Sequence, residues 1–271
     1  MVRLAISELT TFRWSFEADV EQYRAAGIQA MGVWRHKLAD VGDARGADLL
    51  SQAGLAASSL QWAGGFTGSD GRTYDESLDD ARQAIFTAQT LRANCLIIHS
   101  GARGVHTHKH ARRLFRQALD KLLPLAEEHG VTLAVEPMNG DCGGDFTFLN
   151  CLDETVDLVA SYRSPALGIA LDTYHWGCCP SLLDRLPVLA PLLALVQLGD
   201  AREPPAKEPN RCPLGDGLIP LGEIYRRLSQ AGYQGYYEVE LMGEEIEVAD
   251  YRDLLRGSLQ AVRTWTAAGR A

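Results

Sequence analysis

The sequence has no apolar stretch long enough to cross a lipid bilayer as a helix. Its longest apolar stretch, between Leu186 and Leu198, is interrupted by Pro187 and Pro191. The amino terminus carries charged residues around a brief apolar run and does not resemble a secretory signal. We therefore expect a protein without membrane association and predict a cytoplasmic location.

Positive charge is also scarce, because 26 lysine and arginine residues stand against 35 aspartate and glutamate residues, and the formal net charge is −9. A protein that binds a phosphate backbone needs a basic face to neutralise it. The composition therefore argues against nucleic acid as a partner and leaves a small-molecule substrate as the expected one. Whether the chain forms a homo-oligomer stays open.

Two further classes are excluded by missing motifs. The six cysteines form no C-x-x-C pair, and the adjacent Cys178 and Cys179 suit neither a zinc ribbon nor a disulfide framework. No G-x-G-x-x-G motif follows the first apolar run, so a Rossmann-type nucleotide site is not expected. Reduced thiols are the simplest interpretation of the cysteines.

Short apolar runs alternate along the whole chain with longer segments of helical period, which is the pattern of parallel strands joined by crossover helices. Eight strands are predicted, near Arg3–Ser7, Ile28–Val33, Ala56–Leu60, Cys95–His99, Thr132–Glu136, Leu167–Leu171, Ala194–Leu198 and Tyr236–Glu240.

Eight helices are predicted between and after these strands, and several of them end at a glycine that precedes the next strand. Eight such units fill the 271 residues without a linker or a shift in composition. We therefore predict an α/β protein made of a single (β/α)8 TIM barrel domain over residues 1–271. The helices lie near Asp19–Ala26, Ala47–Ala53, Tyr74–Arg92, His108–His129, Leu152–Ser161, Ser181–Leu189, Leu221–Ala231 and Asp250–Ala267.

Polar side chains stand at the ends of predicted strands five to eight, namely Glu136, Asp172, Gln197 and Glu240. In this fold the carboxyl ends of the strands converge on one mouth, where active sites lie. Three carboxylates so close together repel one another unless a cation lies between them. Oxygen ligands favour Mn²⁺ or Mg²⁺ over structural zinc, with Co²⁺ or Zn²⁺ as further possibilities. Taken singly, each residue could instead cap a helix or pair with an arginine.

Four segments around these residues resemble the xylose isomerase-like TIM barrel superfamily, and within it the sugar phosphate isomerase/epimerase family. They are LAVEPM at 133–138, LDTYH at 171–175, VQLGD at 196–200 and GYQGYYEVE at 232–240. The resemblance spans essentially the whole chain, and its strand-end residues are typical of the superfamily but not of one substrate. It implies that Glu136, Asp172 and Glu240 are metal ligands and that His175 contacts substrate or metal.

Gln197 departs from the family pattern, because most epimerases of the family have a histidine at this position. Hydroxypyruvate isomerase and some dehydroshikimate dehydratases are similar to this chain in having glutamine there. The substitution keeps an acceptor that can face a metal, and it weakens the likeness to the ketose epimerases.

The resemblance implies an isomerase or epimerase of sugars or other small hydroxy-carbonyl compounds. A metal bound to the carbonyl and a neighbouring hydroxyl would acidify the adjacent proton by stabilising the enediolate. Two bases, Glu136 and Glu240, would give epimerisation, and one base that shuttles the proton would give aldose-ketose isomerisation. His175 could bond the carbonyl or move a proton, or simply face solvent at a helix start.

Six more residues are candidates for substrate contacts. The histidine ends strand four, the arginines flank a proline-rich loop after strand seven, and the tryptophans fall near the first three strand ends. Core packing or a surface loop would explain each of them equally well. They are His99, Arg202, Arg211, Trp14, Trp34 and Trp62.

Three alternative functions stay open. A lyase of the dehydroshikimate or inosose dehydratase type would use the same metal chemistry, and a second basic residue in the pocket would favour it. A nuclease similar to endonuclease IV shares the barrel, but this chain lacks the further histidines that its metal cluster needs. An inactive metal-binding relative would have no chemical reason to keep both glutamates.

Overall fold

Eight parallel strands close into a barrel in the order in which they occur along the chain, as the sequence predicted. A computed structural model describes residues 2–207 and 210–268. The barrel closes where β1 pairs with β8, with Arg3 opposite Tyr236. The strands are β1 Arg3–Ser7, β2 Ala30–Trp34, β3 Ala56–Gly64, β4 Leu96–His99, β5 Leu133–Val135, β6 Leu167–Asp172, β7 Leu193–Leu198 and β8 Tyr236–Val239.

Helices surround the barrel, and all eight predicted helices have a counterpart among them. None of the helices in the described ranges combines the length and apolarity that crossing a membrane requires. The helices are α1 Phe16–Ala25, α2 Arg35–Val41, α3 Asp43–Ala53, α4 Tyr74–Leu91, α5 His108–Glu128, α6 Gly140–Gly143, α7 Leu152–Tyr162, α8 Thr173–Trp176, α9 Leu182–Leu189, α10 Leu221–Gln230, α11 Glu244–Val248 and α12 Tyr251–Ala268, with a 3₁₀ turn at Ala190–Leu192.

Four short helices, α2, α6, α8 and α11, were not expected from the sequence. Each lies in a loop that follows the carboxyl end of a strand, after β2, β5, β6 and β8. They are too short to show a helical period, so the apolar pattern gave no signal for them. All four therefore lie on the side of the barrel where an active site is expected.

Two apolar clusters stabilise the barrel. The larger one joins the strands to the surrounding helices and includes Phe16, Tyr23 and Phe115, all of them buried. The smaller one consists mostly of strand residues with small side chains, such as Ala5 and Ala134. Small side chains suit these positions, because protein interiors are closely packed and the space inside the barrel is narrow.

The ends of β3 and β4 approach each other closely at Gly64. This residue has a φ of +149°, and a Cβ built on it would lie 1.9 Å from the carbonyl oxygen of His99. The contact is with backbone, which cannot turn away as a flexible side chain would. Glycine at this position therefore lets Trp62 on β3 stack on the His99 ring, with 5.2 Å between the ring centroids.

We expect Gly64→Ala to destabilise the protein more than Gly130→Ala. Both glycines have positive φ, but a Cβ on Gly130 would meet no atom of the described chain within 4 Å. The control should lose about 1–2 kcal/mol from backbone strain alone. Gly64→Ala should lose a further ~1–3 kcal/mol because the strand ends must move apart. Urea denaturation measures both losses, and equal losses would contradict the close contact.

Candidate metal centre and active site

Three of the four predicted strand-end residues, Glu136, Gln197 and Glu240, line one cavity of about 150 Å³ at the mouth of the barrel, and Asp172 is fully buried behind its lining. One part of its wall is polar and carries the carboxylates, and the remainder is apolar. The polar lining consists of Gln61, His99, Glu136, His175, Gln197, Arg211 and Glu240. The other side chains that line the cavity are Leu9, Trp62, Ile97, Met138, Cys142, Phe146 and Met242.

Glu136 follows β5 directly and pairs with a histidine from the neighbouring strand. Its Oε2 atom lies 2.8 Å from His99 Nε2, and both side chains are buried. Burial alone would raise the pKa of Glu136, but the hydrogen bond and the charge of His99 lower it overall. Glu136 is therefore kept in its ionised form. The other ring nitrogen of His99, Nδ1, has no partner among the described residues.

Asp172 ends β6, and Arg211 reaches it from the loop after β7. The Asp172 Oδ1 atom accepts a hydrogen bond from the Tyr174 amide and so begins α8. Its Oδ2 atom lies 2.7 Å from Arg211 Nη2, and Nη1 of the same guanidinium donates to the Glu240 carbonyl at 2.8 Å. Arg211 is only 2% exposed and thus forms part of the site floor.

Two amide groups orient the Glu240 carboxylate. Its Oε2 atom accepts hydrogen bonds from Gln197 Nε2 at 2.7 Å and from Gln61 Nε2 at 2.8 Å. Because the Gln197 nitrogen must face the carboxylate, its Oε1 atom faces elsewhere, and it is buried without a partner among the described residues. An acceptor in this state is costly unless a donor or a cation reaches it.

The donor set fits one hard divalent cation. Glu136, Asp172 and Glu240 are buried carboxylates, and Arg211 supplies a single positive charge against them. Burial raises the pKa of Asp172 and of Glu240, and repulsion from the neighbouring carboxylates raises these pKa values further. The positive charge of Arg211 lowers them but does not cancel the rise. If all three ionise, their negative charge exceeds the positive charge that Arg211 supplies, and a divalent ion would neutralise the excess. Gln197 Oε1 has no partner among the described residues, and amide and carboxylate oxygens are ligands of the kind that such an ion prefers.

His175 lies beside this cluster on α8. Candidate ligand atoms of Glu136, Asp172 and His175 all lie within 4.8 Å of one another. Burial and the nearby Arg211 lower the pKa of His175 to about 3, so the ring is neutral near neutral pH. Its Nδ1 atom lies 3.4 Å from Cys142 Sγ, which leaves Nε2 on the side of Asp172, at 3.9 Å from Oδ2.

A family model described as xylose isomerase-like TIM barrel matches residues 20–264. The chain belongs to this family. The resemblance predicted from the strand-end segments is thereby confirmed. The family is defined by its barrel and does not by itself assign a substrate.

Individual relatives extend this comparison. The D-psicose 3-epimerase of Enterocloster bolteae is 30% identical over 145 residues, which cover 51% of this chain and 44% of that epimerase. The match thus spans less than half of the relative's length. Protein SMc04130 of Sinorhizobium meliloti 1021 is 26% identical with a TM-score of 0.89, over 97% of this chain and 98% of that one.

A more distant solved structure is that of the IolI protein with a bound zinc atom. It is 16% identical with a TM-score of 0.85, over 98% of this chain and 99% of that one. At this level of identity the likeness shows the shared fold alone.

The six residues suggested as substrate contacts separate into two groups. His99, Arg211 and Trp62 line the cavity. The other three lie outside it, because their partners hold them elsewhere. Arg202 is exposed and pairs with Glu245 at 2.8 Å, Trp14 packs edge-on against Tyr251, and Trp34 lines a separate surface groove.

Sequence reasoning missed several residues of the cavity. Gln61 lies within β3, one residue beyond the predicted end of that strand at Leu60, so the prediction did not include it among the strand residues that reach the site. Met138, Cys142 and Phe146 come from the loop around α6, which has no periodic pattern. Loop residues of this kind reach the site only through the tertiary fold, so the sequence carried no signal for them.

We expect metal affinity to rise with pH across the range in which Asp172 and Glu240 lose their protons. The pKa of each is raised, so protons compete with the cation on the acidic side. Binding of Mn²⁺ should be weaker at about pH 5.5 than at about pH 7.5 and should release protons at the lower value. Isothermal titration in buffers of different ionisation enthalpy counts these protons.

The matched variant for this measurement is Glu240→Gln, which has one carboxyl fewer and should release fewer protons. Affinity and proton release that do not change with pH in the parent protein would contradict a site made of these carboxylates.

Proposed function

We propose that the protein is a sugar epimerase or isomerase that depends on a divalent metal ion and acts on a small, uncharged hydroxy-carbonyl substrate. The observation that carries this proposal is the pair of buried glutamates, Glu136 and Glu240, whose pKa values shift in opposite directions beside Gln197 Oε1, a buried acceptor without a partner among the described residues. Paired groups of this kind are typical of acid–base sites. The 30% identity to a D-psicose 3-epimerase over 145 residues also supports it.

The proposed ligands of the ion are Glu136, Asp172, Gln197 and Glu240. When bound, the ion would polarise a substrate carbonyl as a Lewis acid. The set offers carboxylate and amide oxygens, with the His175 imidazole next to it, and this favours Mn²⁺ or Mg²⁺.

The two glutamates carry the proton transfer in this proposal. Glu136, with its lowered pKa, takes the proton from the carbon next to the carbonyl, and His99 stabilises its charge from 2.8 Å away. Glu240, with its raised pKa, returns a proton to the other face of that carbon. Return by Glu136 to the neighbouring carbon would give isomerisation instead. Neutral His175 donates a hydrogen bond to, or accepts one from, a substrate oxygen.

The cavity lining supports an uncharged substrate over the acidic substrates of a dehydratase. Among the described residues, the lining contains one guanidinium and no lysine. That guanidinium, Arg211, is already engaged by Asp172 and by the Glu240 carbonyl. A substrate carboxylate or phosphate would therefore find no free cationic side chain in the lining, while Trp62 and Phe146 offer apolar faces to the carbon skeleton of a sugar.

The deciding experiment incubates Mn²⁺-loaded protein in D₂O with ketoses, hydroxypyruvate, inososes and dehydroshikimate. We expect deuterium uptake at the carbon next to the carbonyl of a neutral substrate, detected by NMR. Glu136→Gln and Glu240→Gln should each lower the exchange rate at least ~10²-fold, because each removes a group that moves the proton. The exposed Glu21→Gln is the matched control and should exchange at the parent rate.

Dehydration of an acidic substrate, or uptake that both Gln variants retain, would contradict the proposed reaction. Absence of uptake from every compound with metal bound would contradict proton transfer at carbon altogether.

We expect Gln197→His to shift metal preference from Mn²⁺ and Mg²⁺ towards Zn²⁺ and Co²⁺. An imidazole nitrogen is a softer ligand than an amide oxygen, so the variant replaces a hard ligand of the proposed set. Competition between Zn²⁺ and Mn²⁺, followed by the Mn²⁺ electron paramagnetic resonance signal, measures the preference. Gln197→Leu serves as the comparison that removes the ligand entirely, and unchanged preference in both variants would exclude Gln197 as a ligand.

A further inference from the structure

A second buried carboxyl group, Glu238, lies beneath the site and has no part in the proton transfer described above. It lies on β8, two residues before Glu240, which directly follows the strand, so the extended chain directs both side chains to the same face of the sheet. Its side chain is fully buried and does not line the cavity. A buried carboxyl without a function would be costly, which makes its partners informative.

Three donors from β3 converge on Glu238. Ser58 Oγ donates at 2.5 Å, Ser59 Oγ at 2.9 Å and Gln61 Nε2 at 2.8 Å. Consecutive strand residues normally point to opposite faces, so two adjacent serines would not usually share an acceptor. The pairing of β2 with β3 shifts by one residue at this point, and such a bulge re-aims side chains. The bulge in β3 therefore lets both Ser58 and Ser59 donate hydrogen bonds to the Glu238 carboxyl group.

The neighbouring strand leaves space for the same group. A Cβ on Gly32 of β2 would lie 2.5 Å from the carboxylate carbon of Glu238. Any larger residue would displace the carboxylate from its donors. Glycine on one side and the bulge on the other thus form a pocket that fits a glutamate side chain.

Gln61 connects this pocket to the active site. Its Nε2 atom donates to Glu238 Oε1 and to Glu240 Oε2, each at 2.8 Å. Its Oε1 atom accepts a hydrogen bond from Ser7 at 3.3 Å. Both amide hydrogens are used, and turning the amide over would place its oxygen against two carboxyl groups. Glu238 therefore helps to set the orientation of the Gln61 amide from below, together with Ser7 and Glu240.

We propose that Glu238 is a positioning residue for Glu240 and that it acts through the amide of Gln61. Glu238 holds the amide with its nitrogen towards the cavity, and the amide holds one oxygen of Glu240 so that the other is left for ligand or substrate. The inference assigns this task to hydrogen-bond geometry, so a glutamine at 238 can perform it. It rests on the proposed function only where turnover is measured.

The test uses Glu238→Leu, Glu238→Gln, Gln61→Leu and the double variant Glu238→Leu/Gln61→Leu in the full chain. Outer hydrogen-bond partners of metal ligands typically contribute about 10–100-fold to affinity or activity. We expect Mn²⁺ affinity and the rate constant kcat for deuterium exchange to fall by this factor in Glu238→Leu and in Gln61→Leu, with little change in KM. The double variant should be no worse than either single variant, because the two residues act in series.

Rescue and stability controls separate positioning from general structure. Glu238→Gln should stay close to the parent in both measurements, because its amide oxygen can accept from Gln61 while its nitrogen faces the serines. Thr155→Val removes the hydroxyl group of a different fully buried residue, on α7 away from the cavity. It should lower stability without altering Mn²⁺ affinity. Crystal structures of the variants should show the Glu240 carboxylate turned in the Leu variants and in place in Glu238→Gln.

An additive loss in the double variant would overturn the inference, and so would a Glu240 carboxylate that keeps its place in Glu238→Leu. Equal losses in Glu238→Gln and Glu238→Leu would also overturn it. Failure of the parent to exchange deuterium would contradict the proposed function instead, and the crystal positions of Glu240 would still decide this point.

Discussion

The site depends on one electrostatic constraint, which is that three carboxylates share a buried volume with a single guanidinium. Removing a charge from water costs several kcal/mol even after relaxation, so an unpaired carboxylate there would be unstable. Each carboxylate consequently has a dedicated partner, His99 for Glu136 and Arg211 for Asp172. The amides that orient Glu240 complete the set. The end of β4, the loop after β7 and residues of β3 and β7 supply these partners.

The barrel could be predicted because its signals repeat along the chain. Eight apolar runs and eight helical segments are long enough to show their periods, and glycines such as Gly130 mark the helix ends. The short helices could not be predicted, because four to seven residues show no period. The predicted β3 ended at Leu60, whereas the strand continues to Gly64, and Gln61 was therefore left out of the site.

The metal-ligand candidates could be predicted for a topological reason, whereas the substrate wall could not. Parallel strands of a barrel end at one rim, so any polar residue at a strand end is placed there by the fold itself. Trp14 and Arg202 follow strand ends as well, but in loops whose direction depends on partners such as Tyr251 and Glu245. The place of a residue along a strand therefore predicts where its side chain lies in the barrel, whereas the place of a residue along a loop does not.

Glu238 shows why a carboxyl below the cavity is compatible with a stable barrel. A hydrogen bond contributes about 0.5–1.5 kcal/mol, and about 1.5–3 kcal/mol where the acceptor is charged, so three donors on one carboxyl group offset part of its burial cost. An apolar residue at 238 would fill the same space but would leave the Gln61 amide free to turn. Glu240 would then lose the hydrogen bond from Gln61 Nε2, which orients its carboxylate whether or not a metal ion or substrate is bound. The polar groups beneath the site, Glu238 and its donors, thus lower the stability of the barrel somewhat but orient the Glu240 carboxylate before any ligand binds. A reaction barrier is lowered by preorganised electrostatics only when the charged groups are already oriented in this way.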